Sequence, residues 1–176
     1  MRSREETGKN DPLIEELLDA PEAAIFQKAA GGALYFVLDR IESQFASKVV
    51  MQDMAKPRRI GLLRLKRLVR YLKGNPRMSY KYEYQVMPKQ ITGWADSDHA
   101  GCKDTRKATS CGIEQLGVHV LHTYSVTQEV VALSSGEAEF YALSTLVGHM
   151  LFTKNMFEEL DVMLMIEAWT DSSAGK

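Results

Sequence analysis

The stretch Leu133-Ser134-Ser135-Gly136-Glu137-Ala138-Glu139-Phe140-Tyr141-Ala142-Leu143-Ser144 constrains this chain more than any other. Ser134 followed three residues later by Glu137 is a capping box, in which the serine oxygen accepts from the third helical backbone N–H and the glutamate reaches back. Helical steps from Glu139 then pass Leu143, Leu146, Met150, Thr153, Phe157 and Leu160, an almost wholly apolar stripe suited to packing on a sheet. Glu137 and Glu139 lie about 200° apart around a helix of 3.6 residues per turn, so they cannot share a role. Glu137 belongs to the cap. Glu139 heads the packed stripe, where a carboxylate costs stability unless a cation or hydrogen bonds compensate it.

The other charges divide the chain. Between Met54 and Tyr82 there are ten basic residues and no acid, whereas residues 91–176 carry five basic residues against twelve acids. The net charge of -1 hides this asymmetry. An apolar content of 45% over 176 residues supports one ordinary core, or a small domain and an incomplete neighbour. The two cysteines, Cys102 and Cys111, form no CxxC pair and suggest a reducing compartment. No signal peptide and no bilayer-spanning apolar run is visible. The expectation is therefore an intracellular protein, cytoplasmic or nuclear and not secreted, with no membrane partner.

Residues 1–20 read as a polar tail with a short helix at 13–18, and residues 21–85 as a helical, basic segment. The helix over 22–54 is expected to break at Gly31-Gly32. A third helix is expected from Pro57 to about residue 73, closed by Gly74-Asn75-Pro76. In it Leu62, Leu65, Leu68, Val69 and Leu72 make one face, while Arg59, Lys66, Arg70 and Lys73 lie largely on another, with Arg67 in the same basic run. A solvated surface helix would account for this; an acid-free run of such length favours contact with nucleic-acid phosphates. Residues 86–90 suit a linker. From residue 91 the pattern becomes strands at 91–96, 111–116 and 118–125, a long helix at 135–160 and a strand at 162–170. That order predicts an α/β domain over 91–176, with a mixed sheet and a long crossover helix.

Two strands end alike, in Trp94-Ala95-Asp96-Ser97 and Trp169-Thr170-Asp171-Ser172. If they are parallel neighbours, Asp96 and Asp171 emerge together at their carboxyl ends. Alternation puts each aspartate on the face of its tryptophan, expected to be the helix side, beside Glu139. Three acids converging on a half-buried crevice call for a hard divalent cation, Mg²⁺ or Mn²⁺. Other chemistries fit worse. Asp96-x-Asp98-x-x-Gly101 has Ala100 and Lys107 where a calcium loop needs ligands. His119-x-x-His122 lies on strand pattern without an acid partner, which argues against zinc. Ser134-Ser135-Gly136 is neither a nucleophile elbow nor a phosphate-binding loop.

The ordered motifs Gly93-Trp94-Ala95-Asp96-Ser97-Asp98-His99-Ala100-Gly101, Asp104-Thr105-Arg106-Lys107-Ala108-Thr109-Ser110 and 131–143 resemble the ribonuclease H region of copia-type retrotransposon polyproteins. Upstream, 29–34 and 56–74 resemble the segment joining reverse transcriptase to ribonuclease H there. The resemblance covers about residues 25–173 and implies a ribonuclease H-like fold. It also implies metal-dependent hydrolysis of the RNA in RNA–DNA hybrids, by two ions about 4 Å apart. It puts the family's metal-binding, catalytic acids on Asp96, Glu139 and Asp171, and a phosphate-contacting basic pair on Arg106 and Lys107. Its implied partners are an RNA–DNA hybrid and the remainder of the Pol polyprotein. The chain departs from the family in two places. Ser125-Val126-Thr127-Gln128 stands where relatives carry Ser-Lys-Lys-Gln, and the chain stops at Lys176 where a fourth acid and final helices would follow. The expectation is a ribonuclease H-derived, C-terminally truncated domain whose incomplete acid set and incomplete sheet argue against activity of the chain as it stands; the alternative is a non-catalytic nucleic-acid-binding remnant.

Overall fold

In the computed structural model, which describes residues 15–37, 39–102 and 104–171, Gly31 and Gly32 do not interrupt the first helix. Helix α1 (Ala20–Val37) runs straight through them. Each glycine costs a helix interior about 1 kcal/mol relative to alanine, and the burial of Phe26, Ala30 and Ala33 on one face outweighs it. The short helix expected at 13–18 begins outside the described residues. Its described part is extended instead: Leu17 bridges Arg58, with Leu18 N–H donating to the Pro57 carbonyl and Arg59 N–H to the Glu16 carbonyl, both at 2.9 Å.

The chain divides into two compact units between Ser79 and Tyr80. The first is helical. After α1 come a 3-10 turn (Ile41–Ser43), α2 (Gln44–Met51) and α3 (Arg59–Gly74). Helix α3 buries Leu65 and Leu68 with Phe26, Ala30 and Val50. Arg58, extended at φ -112°, stands at its N-cap without a side-chain cap. The Asp53 carboxylate is fully buried here and accepts from Arg58 at 2.6 Å and from Arg64 at 3.2 Å. Gly61 is needed beside it, since a Cβ there would sit 2.8 Å from the Asp53 side chain.

The second unit is a mixed α/β layer of four strands and one long helix. Strands β1 (Gln90–Ser97), β2 (Thr109–Leu116) and β3 (His119–Thr127) form an antiparallel meander. Helix α4 (Ser135–Glu158) then crosses the sheet to β4 (Met165–Thr170), which pairs in parallel with β1. The strand order is β3-β2-β1-β4. The apolar stripe of α4 meets this sheet through Ala142, Leu146 and Met150, packed on Ile91, Ala95 and Leu116. Leu160, expected to close the stripe, is 71% exposed beyond the helix end. Gly93 permits the close approach: a Cβ there would lie 2.6 Å from the Met150 sulfur. Because the helix needs that gap, it packs on the face of Ile91, Gly93 and Ala95. Trp94 and Trp169, paired across β1 and β4, lie on the opposite face, 43% and 51% exposed. The expectation that the helix side carries the tryptophans is thereby corrected.

The segment before β1 is tied to this unit. Gln85 donates to the Leu116 carbonyl at 2.8 Å and accepts from Val118 N–H at 3.0 Å, and His119 contacts the Glu83 carbonyl at 2.7 Å.

Candidate metal centre

The register Trp94↔Trp169 and Ala95↔Thr170 carries β1 and β4 to their carboxyl ends in step. Asp96 and Asp171 follow there, both exposed. Glu139, one turn into α4, is buried beside them. Donor oxygens of Asp96, Glu139 and Asp171 all lie within 4.8 Å of one another. The carboxylates meet at the strand ends, although strand alternation alone would have put Asp96 on the face away from α4. At that end the backbone N–H of Ser97 donates to Asp96 Oδ1 at 2.8 Å.

Burial pushes the Glu139 carboxyl above its ordinary range, and the charges of Asp96 and then Asp171 push it the same way. The Ser97 backbone and the Thr170 hydroxyl, 3.5 Å from Glu139 Oε2, oppose the rise. Three mutually repelling carboxylates with one buried member form an all-oxygen donor set. A hard divalent cation fits such a set and relieves the repulsion.

The neighbouring acids have other partners. Glu137 N–H donates to Ser134 Oγ at 3.1 Å, and the Glu137 carboxylate accepts from Leu133 N–H at 2.7 Å and from the Tyr141 hydroxyl at 3.0 Å. This is the expected cap, reaching one residue further back than the capping-box pattern. Asp98 fastens the β1–β2 loop by accepting from Thr109 N–H. Arg106 and Lys107 lie in that loop, Arg106 exposed with a left-handed backbone at φ 57° and Lys107 half-buried.

Gln128 was not singled out by sequence and holds the site's frame. Its buried side-chain amide donates to Ser110 Oγ and to the Ala138 carbonyl, both at 2.9 Å, and lies 3.3 Å from Ser97 Oγ. One side chain thus ties the end of β1, the start of β2 and the first turn of α4. Replacing it with alanine is expected to cost about 1–3 kcal/mol by stranding buried polar groups. Urea denaturation followed by tryptophan fluorescence reads this directly, because Trp94 and Trp169 both belong to this unit. An unshifted midpoint would contradict the assignment.

In the first unit, Lys66, Arg67, Arg70 and Lys73 are exposed along α3. Arg59 is partly engaged by Glu22 at 3.5 Å and Glu16 at 3.9 Å. Arg58 and Arg64, part of the same basic run, serve Asp53. No helix among the described residues is long and apolar enough to cross a membrane.

No family model matches the sequence, and no solved structure matches it. Among known proteins, the chain is 31% identical over 124 residues to the uncharacterized mitochondrial protein AtMg00810 of Arabidopsis thaliana, covering 70% of this chain and 51% of that protein. It is 28% identical over 139 residues to the retrovirus-related Pol polyprotein from transposon RE1 of the same plant, covering 79% of this chain and 9% of the polyprotein. It is also 31% identical over 121 residues to secreted RxLR effector protein 161 of Plasmopara viticola, covering 68% of this chain and 84% of that protein. The chain therefore spans about half of the mitochondrial relative and about a tenth of the polyprotein. Similarity of this extent to a transposon polyprotein places it among the retrotransposon Pol-derived proteins.

Proposed function

We propose that this chain is a metal-dependent ribonuclease H that hydrolyses the RNA strand of RNA–DNA hybrids. The observation that carries the reading is the convergence of Asp96, Glu139 and Asp171 at the shared end of two parallel strands and a helix start. The β3-β2-β1-β4 order with its crossover helix supports a ribonuclease H-like fold. In this reading the three carboxylates hold Mg²⁺ or Mn²⁺. An ion bound there would provide a water nucleophile at neutral pH and charge stabilisation for the leaving oxygen.

The chain's own residues do the rest. Ser97 and Thr170 hold the Glu139 carboxylate in place, and Gln128 keeps β1 and α4 at the spacing that brings the acids together. Arg106 and Lys107 offer positive charge to a substrate phosphate from the β1–β2 loop. On the first unit, Lys66, Arg67, Arg70 and Lys73 track the nucleic-acid backbone, with Arg59 contributing less because of its glutamates. The protein acts inside the cell as part of a larger Pol polyprotein.

The test is incubation of the purified chain with a hybrid labelled on each strand, in Mg²⁺ or Mn²⁺. The RNA strand should shorten, the DNA strand should stay whole, and chelation should stop the reaction. Replacing Lys66, Arg67, Arg70 and Lys73 with glutamine should weaken hybrid binding. It should also flatten the dependence of log K on log salt by about 0.9 for each phosphate that is no longer neutralised. Salt-sensitive binding without cleavage would instead favour a non-catalytic nucleic-acid binder.

A further inference from the structure

We propose that Glu114, His122 and His149 form a second cation site in this unit, suited to a Zn²⁺-type transition metal. Strand register sets Glu114 of β2 between Gly93 of β1 and His122 of β3. Glu114 is 1% exposed, on the face that α4 covers, and neither carboxylate oxygen has a hydrogen-bond partner. A buried carboxylate in that state is costly unless a cation compensates it.

The two imidazoles stand at its solvent side. His122 and His149 have ring centroids 4.7 Å apart, with His122 exposed at the sheet edge and His149 half-buried on α4. An ion therefore has an entry path. Tyr124 closes the far wall, its ring 4.9 Å from His149 and its hydroxyl donating to the Ala142 carbonyl at 3.3 Å.

Two imidazole nitrogens and a carboxylate oxygen suit Zn²⁺ or Co²⁺, with solvent completing the coordination, whereas Mg²⁺ prefers oxygen alone. The site is separate from the acidic one. His149 lies ten residues beyond Glu139 on α4, on the order of 15 Å along the helix axis. Among the described residues the acidic trio is the group whose donors already converge within 4.8 Å. Closure here requires the two histidine rings, both bordering solvent, to turn toward Glu114.

Titrating the full chain with Co²⁺ in excess Mg²⁺ tests this. The expected result is one bound Co²⁺ with visible d–d absorption, displaced by Zn²⁺. His149→Ala, His122→Ala and the isosteric Glu114→Gln should each weaken binding by at least about ten-fold. Asp96→Asn should leave it unchanged, and circular dichroism checks that each variant is folded. Absent d–d bands, which would leave the trio an internal carboxylate–imidazole cluster, overturn the proposal. So do bands that survive His149→Ala or vanish with Asp96→Asn.

Discussion

A Glu139→Gln chain is expected to lose hybrid cleavage by at least about 100-fold while melting about 4–8 °C above the parent when divalent ions are absent. The two effects share one cause. Glu139 is buried against Asp96 and Asp171, so its carboxylate is repelled in the folded chain and more comfortable in the unfolded one. Its folded pKa lies above its unfolded value of 4.5, so the folded state binds more protons across that interval. Its stabilising contribution is fully present below the unfolded value and is lost as pH rises through the folded one. Glutamine removes that loss. About 1 kcal/mol of relief corresponds to the stated shift for a unit of this size. Adding Mn²⁺ should reverse the order by stabilising the parent and leaving the variant unmoved, as mass action requires of an ion bound by the folded state alone. Melting curves with and without Mn²⁺, repeated from pH 4 upward, check each part. A variant that melts below the parent without metal would refute this electrostatic account.

Asp53→Ala is expected to produce the largest loss of stability, about 3 kcal/mol. Its carboxylate is fully buried between Arg58 and Arg64. Removing it takes the buried acceptor from Arg64 and one of two carboxylates from Arg58, which keeps Glu15 at 2.8 Å. The cost falls at the low end of the range for a broken buried pair because both arginines reach solvent, with side chains 22% and 40% exposed. Far-UV circular dichroism in urea is the appropriate probe, since this unit is helical and contains neither tryptophan. Asp53→Asn should lose less, retaining one acceptor oxygen in the space Gly61 provides. An Asp53→Ala transition that matches the parent's would show that the pair contributes nothing net.

The sequence made the acidic centre visible because its signals are local. A capping box fixes where α4 begins, two alike strand ends supply the aspartates, and the β–α–β order makes those strands parallel neighbours. Features set by contacts between distant residues were not visible. Whether the helix packs on Trp94 or on Gly93 depends on backbone proximity, and alternation alone leaves both faces open. Gln128 looked like the last residue of a divergent motif, yet its partners come from three separate elements. His122 seemed to lack an acid because Glu114 faces it only through the β2–β3 register, and His149 joins only through the packing of α4. In the first unit, the even basic run conceals that Arg58 and Arg64 are structural while Lys66, Arg67, Arg70 and Lys73 stay exposed.

The proposed role of Asp96, Glu139 and Asp171 is to hold the divalent ion that RNA cleavage requires. Its most direct measurement is cleavage of a strand-labelled RNA–DNA hybrid in Mn²⁺ by the parent chain beside Asp96→Asn. The parent is expected to cleave the RNA strand, with chelation abolishing cleavage and the variant reducing it at least about 100-fold. Undiminished cleavage by Asp96→Asn, or none by a folded parent chain, would contradict it.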